Sequence, residues 1–212
     1  MKKELCIFIK CMKKKLNNSK KVYFIGSGDF GQYISFIAMR QNLINEVKFI
    51  DDKFKFNLDY LLKIKKTLNC IITIGNQKNR YHVYEKLFKR KNIRFINLIL
   101  TDEKKMLSNN IKIGSIIEDG VRLNLNSSIG KHTICFANAT IGHGVKIGNF
   151  CNIGNNVVVA GNTKIANFVE IGPNSFIAKN LDITSNVIIS PGSVVIKSIK
   201  KSGIYKDNIK IK

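Results

Sequence analysis

From Ile111 to Val195 an aliphatic-type residue recurs at every sixth position: Ile111, Ile117, Leu123, Ile129, Cys135, Ile141, Ile147, Ile153, Val159, Ile165, Ile171, Ile177, Ile183, Ile189 and Val195. The next residue is often small (Gly130, Gly142, Gly148, Gly154, Ala160, Ala166, Gly172, Ala178), and four places after nearly every aliphatic comes a small or β-branched one such as Ser127, Thr133, Ala139 or Val145. Neither a helix nor an alternating strand repeats at six, and a hexapeptide rhythm is the signature of a parallel β-helix. Each hexapeptide is one short strand plus a corner, and three close a triangular coil. The aliphatic points inward, and the Gly or Ala after it is expected at the corner, where a Cβ would crowd the turn or need positive φ. Fifteen hexapeptides predict about five coils, a prism roughly 24 Å long with open edges at its ends.

The first half has a different pattern. Residues 22–25 read as a buried strand, followed by Gly26-Ser27-Gly28-Asp29-Phe30-Gly31 and a helical pattern through Arg40. A second strand, 47–50, ends in Asp51-Asp52, and a third, 70–74, in Gly75-Asn76; a helix over about 78–90 and a strand over 93–98 complete the set. Strands alternating with helices predict a small parallel α/β sheet of Rossmann-like character. The domains expected are thus a leader or short helix over 1–20, the α/β domain over 21–100, the β-helix over 101–200 and a tail over 201–212. The glycine loop between strand and helix suits a phosphate or sugar, because its backbone admits close approach and the helix start offers free N–H groups. Asp51 falls where a carboxylate can accept hydrogen bonds from ribose hydroxyls. The same loop fits a dinucleotide cofactor, but the short sheet, the turn into a β-helix and the lack of a hydride-transfer site argue against an NAD-dependent oxidoreductase.

Composition adds little. The formal charge is +22, carried by 36 basic residues of which only Arg40, Arg80, Arg90, Arg94 and Arg122 are Arg. Such charge attracts anionic partners or simply keeps the chain soluble; no Arg-rich strip interleaved with aromatics points to nucleic acid. Cys6, Cys11, Cys70, Cys135 and Cys151 show no metal-ligand spacing, the three His are scattered, and no metal is expected. A reducing cytoplasm fits this usage. The Lys-rich residues 1–20 hold an apolar run, Leu5–Ile9, too short for a span or signal peptide; a basic contact with anionic lipid is the membrane role open to them.

A glycine loop, an Asp-Asp after the second strand, Ile74-Gly75-Asn76 after the third and a hexapeptide prism together resemble the nucleotide-sugar acetyltransferases, including bacillosamine-type N-acetyltransferases and sialic-acid O-acetyltransferases. The resemblance covers about Lys21 to the C-terminus. It implies a left-handed β-helix, a homotrimer and acetyl-CoA lying in the groove between neighbouring prisms. It implies a nucleotide-sugar (UDP- or GDP-linked) on the α/β domain, held by Gly28, Asp29, Phe30, Asp51, Asp52 and Gly75. The family's catalytic His setting matches Ile141-Gly142-His143-Gly144-Val145-Lys146-Ile147-Gly148, which makes His143 the general base. His132 has no matching motif and His82 sits on the expected helix. Coenzyme contacts carry over to Asn152, Pro173 and Pro191, the prolines one coil apart.

Where the family has an acidic residue after its His, this chain has Gly144, and its usual C-terminal motif is replaced by Ser202-Gly203-Ile204-Tyr205-Lys206. The function expected is acetyl transfer from acetyl-CoA to an amine or hydroxyl of a nucleotide-linked sugar for a bacterial surface glycan. The alternative is a catalytically weak nucleotide-sugar-binding or assembly protein that keeps the trimer. Association is expected on physical grounds too, since a short prism leaves flat faces to cover.

Overall fold

The computed structural model describes residues 21–52, 57–108 and 110–212. The expectations for residues 1–20, including the lipid contact, Cys6 and Cys11, lie outside these. The chain divides into two compact units: one runs through Gly75 and resumes over His82–Ile96, and the other comprises Asn76–Tyr81 with Asn97–Lys212.

The first unit is a four-stranded parallel sheet. Its strands are β1 (Lys21–Ile25), β2 (Glu46–Ile50), β3 (Leu68–Ile72) and β4 (Ile93–Phe95), in the order β2-β1-β3-β4. The unbroken apolar run Val22–Ile25 is buried, as a strand flanked on both sides requires. Helix α1 (Asp29–Arg40) buries Gly31, Ile34, Ser35 and Ala38 at helical spacing. Gly31 is needed for close approach: a Cβ there would run into the Gly26 carbonyl oxygen and stand 2.9 Å from Thr73 Oγ1. Helix α2 (Leu58–Lys63), which the hydrophobic pattern does not announce, starts at Asn57, whose side chain accepts from Tyr60 N at 3.0 Å. Strand β3 begins and ends two residues earlier than the apolar run suggests, and helix α3 spans Gln77–Leu87.

The second unit is a parallel β-solenoid with three sheets. Its first face stacks Ile117, Cys135, Ile153, Ile171 and Ile189; its second Leu123, Ile141, Val159, Ile177 and Val195; its third Ile111, Ile129, Ile147, Ile165 and Ile183. Fourteen of these fifteen are buried in one core cluster, with Ile111 partly buried against it. The solenoid has about six turns rather than five. An early rung, Leu98–Ile99, pairs with Ile116–Ile117, and Met106 rather than the in-register Lys105 bridges to Leu123. At the far end Ile199 bridges Ile183 and Tyr205 faces Ile189, each two residues short of the eighteen-residue register, so a six-residue count loses them. Residues 203–206 extend the first face, and Ile209–Lys210 folds back antiparallel on them, covering that edge.

The corners correct one expectation. Positive φ falls three residues after each inward aliphatic from Ile111 to Ile189, not one. The series runs Gly114, Gly120, Asn126, His132, Asn138, Gly144, Phe150, Asn156, Asn162, Phe168, Asn174, Asn180, Asn186 and Gly192. Asn tolerates this left-handed region better than most residues, which explains its abundance there. The residue directly after the aliphatic is small for another reason: a Cβ on Gly130 would overlap the Gly148 carbonyl of the next coil.

Candidate active site

In the first unit, all six residues expected to hold a nucleotide-sugar (Gly28, Asp29, Phe30, Asp51, Asp52 and Gly75) line one cavity of about 370 Å³, with Gly26, Thr73 and Ile74. Asp51 Oδ2 accepts from Ser27 N at 3.0 Å and from Ser27 Oγ at 2.7 Å, so this carboxylate also holds the glycine loop closed. Asp52 Oδ1 accepts from Leu58 N at 3.5 Å. Thr73 Oγ1 donates to Gly26 O at 2.8 Å, tying the end of β3 to the same loop. Gly28 stands at the N-cap of α1 and makes no side-chain cap bond, so the backbone N–H groups of a helix start, not a capping side chain, border the cavity. The cavity therefore offers backbone donors on one side and carboxylate acceptors on the other, a combination suited to a ligand bearing both phosphate and hydroxyl or amino groups.

In the second unit, His143 is exposed at the corner between the second and third faces. Its carbonyl accepts from Asn162 N at 2.8 Å. The outer edge of its imidazole overlies Gly161, one coil on: a Cβ at Gly161 would stand 2.5 Å from Nε2. Gly144 has φ +67, and a Cβ there would overlap Asn162 Oδ1, so a side chain in this slot would displace the Asn162 amide.

The remaining candidates lie elsewhere on the solenoid. Pro173 and Pro191 are both exposed on the edge between the first and second faces, with Gly192 N donating to Pro173 O at 2.8 Å. Asn152 is on the first face, 8% exposed, and its Oδ1 accepts from Arg80 Nη2 at 2.7 Å. Within one chain His143, Asn152 and the prolines thus occupy three different places around the coil.

Arg80 is the residue that pattern reading passes over. Its side chain is fully buried, with Nε donating to His132 O at 2.9 Å and Nη2 to Cys151 O at 3.4 Å. Burial pulls its pKa down to about 10. It shares the Lys-rich stretch 77–91 with Arg90, so nothing in the sequence singles it out; in the fold its planar fork of donors meets several acceptors at once. The His132 ring stacks on Phe150 (5.3 Å between centroids) and Phe150 on Phe168 (5.5 Å), three left-handed corner residues one coil apart, with Tyr81 edge-on to both Phe rings. Burial, with Arg80 and Lys131 nearby, pushes the His132 pKa down to about 3, so it is a neutral packing group. His82 is exposed on α3.

Glu118 is buried at the first-to-second-face edge. Its Oε2 accepts from Ala137 N at 3.2 Å while Oε1 has no hydrogen-bond partner among the described residues, and burial raises its pKa to about 7. Cys70, Cys135 and Cys151 are free and buried, their thiols pushed up by burial, which makes them poor nucleophiles. Among the described residues no group of three His, Cys, Asp or Glu could hold a metal, and no helix is long and apolar enough to cross a membrane.

No protein-family model and no curated protein matches the chain. Solved structures do. The acetyltransferase domain of PglB from Neisseria gonorrhoeae FA1090, in complex with acetyl coenzyme A, matches with a TM-score of 0.78 and 20% identity over 88% of this chain and 95% of that one. A mutant of perosamine N-acetyltransferase from Caulobacter crescentus, in complex with CoA and GDP-perosamine, matches with a TM-score of 0.77 and 18% identity over 87% and 92%. WeeI from Acinetobacter baumannii AYE matches with a TM-score of 0.70 and 21% identity over 87% and 95%. At these identities the likeness is one of fold: the chain has the fold of these acetyltransferase structures.

Proposed function

We propose that the protein transfers an acetyl group from acetyl-CoA to an amine or hydroxyl of a nucleotide-linked sugar, with His143 as general base. The observation that carries this reading is an exposed imidazole at a corner of a hexapeptide solenoid whose fold is that of acetyltransferases. Neutral His143 takes the proton of the acceptor amine or hydroxyl as its nitrogen or oxygen attacks the thioester carbonyl. The tetrahedral adduct collapses with cleavage of the C–S bond, and the departing thiolate takes the proton from the imidazolium. The products are an amide or ester and free CoA, with no covalent enzyme intermediate.

The parallel α/β unit, read as Rossmann-like, would supply the nucleotide-sugar site in the cavity lined by Asp51 and Asp52; the solenoid is taken to be left-handed, as the resemblance implies. A homotrimer is supported by the second face. Outward from it point Val158, Phe176 and Val194 in one row, 37%, 40% and 53% exposed, an apolar stripe of the kind that association covers. His143 stands on one edge of that face, and Pro173 and Pro191 on the other. A groove between two copies would bring one subunit's His143 toward the next subunit's proline edge, where the extended pantetheine arm would run. Perosamine N-acetyltransferase in complex with GDP-perosamine supports a nucleotide-sugar acceptor, and glycan biosynthesis in the cytoplasm is the setting this implies.

The test is purified protein with acetyl-CoA and a panel of UDP-, GDP- and CMP-sugars, following thiol release. Activity that is lost in His143→Ala supports the reading, and activity that persists removes His143 from the mechanism. Gly144 favours a second reading, a binding or assembly protein with little catalysis, because it leaves no carboxylate to orient the ring. Calorimetry showing tight nucleotide-sugar binding without coenzyme binding would favour it.

A further inference from the structure

We infer that Gly161 is the positioning residue for His143, an inference that rests on the acetyl-transfer reading and deepens it. Five residues occupy the same corner position along the His143 edge, one coil apart: Leu125, His143, Gly161, Lys179 and Lys197. Only Gly161 lacks a side chain. Two reasons for glycine recur in this solenoid, and neither applies here. Gly161 is absent from the residues with positive φ, so an L residue fits its backbone. Nor is another coil's backbone the nearest neighbour: the three atoms nearest to where its Cβ would stand are Nε2, Cε1 and Cδ2 of His143, at 2.5, 2.7 and 3.0 Å. By contrast, a Cβ on Gly142 or Gly148 would meet backbone atoms of the next coil. What a side chain at this point would meet first is the imidazole.

The bare Cα of Gly161 is therefore a shelf on which the outer edge of the His143 ring rests. Residue 144, next to the histidine, has no side chain to do this work. The Asn162 N–H fixes the His143 backbone one residue beyond the shelf. Any Cβ at position 161 lifts the outer nitrogen of the ring, and displacements of about 1 Å at a reacting group can cost about 100-fold in rate. Because the atom in the way belongs to a side chain that can swing into solvent, the fold itself should tolerate the change.

The variant that tests this is Gly161→Ala. In ¹H–¹³C spectra of the unliganded protein, the imidazole resonance of His143, assigned with His143→Ala, should shift while that of buried His132 stays put. The kcat should fall roughly 10- to 100-fold with KM for acetyl-CoA changed less than about 3-fold. In the His143→Ala background the same substitution should cost nothing further. An unmoved His143 resonance, an unchanged kcat, or a melting temperature lowered as for a core substitution would each overturn the assignment. Full thiol release in His143→Ala would instead remove His143 from the mechanism on which this inference rests, while the resonance shift would still report whether Gly161 sets the ring.

Discussion

At the scale of single residues, two buried ionisable groups act on stability in opposite directions. The Glu118 carboxyl is raised from 4.5 to about 7, so the folded state holds a proton the unfolded chain has released, and its contribution is full below pH 4.5 and fades as pH rises through 7. His132 is lowered from 6.5 to about 3, so its contribution is full above pH 6.5 and is lost as pH falls toward 3. The two partly cancel between pH 4.5 and 6.5. Glu118→Gln keeps the shape and removes the ionisation. It should raise the melting temperature at pH 8 by roughly 4–8 °C, a gain on the order of 2 kcal/mol, and leave it unchanged at pH 4. An equal difference at both values would mean that ionisation of Glu118 is not the cause. For catalysis, His143→Ala should lower thiol release by about 10²- to 10⁴-fold without changing the unfolding transition, since the side chain is exposed.

At the scale of elements, the corner is the unit that decides stability. Asn156 has φ +57 and its Nδ2 donates to Asn174 Oδ1 at 3.0 Å, one coil on. Asn156→Ala should cost about 1–2 kcal/mol from left-handed strain and the lost bond, and Asn156→Gly clearly less, since glycine relieves the strain. Equal losses in thermal unfolding would show that strain is not at issue. These corners also show what the chain reveals to a reader. The inward aliphatics are legible because each is chosen by its own slot, and fourteen of fifteen are buried. Asn at 126, 138, 156, 162, 174, 180 and 186 keeps the same period and marks the left-handed positions as plainly. The terminal rungs at Met106, Ile199 and Tyr205 are not legible by period, because one- and two-residue shifts break the count. Arg80 is illegible for a different reason. Its partners His132, Cys151 and Asn152 follow it by more than fifty residues, and no local pattern encodes so distant a contact. The cavity residues lie at strand ends, and Asp51 is legible there by its place in the chain; its bond to Ser27 is visible only in three dimensions.

At the scale of the whole molecule, the proposed trimer predicts that Phe176→Glu on the exposed stripe gives a monomer by light scattering. Thiol release should fall with it, while circular dichroism keeps the β signal. A variant that remains trimeric would move the contact to another face. The constant register between rungs has a consequence of its own. Each coil pairs with the next at a fixed eighteen-residue offset over the central turns, so the solenoid is graduated like a ruler in steps of about 4.8 Å. Duplicating residues 154–171 would add one graduation between His143 and Pro191 without changing the side-chain type at any slot. Turnover of acetyl-CoA should then drop though the protein still folds, as the spacing between the ring and the far proline no longer matches the donor's arm.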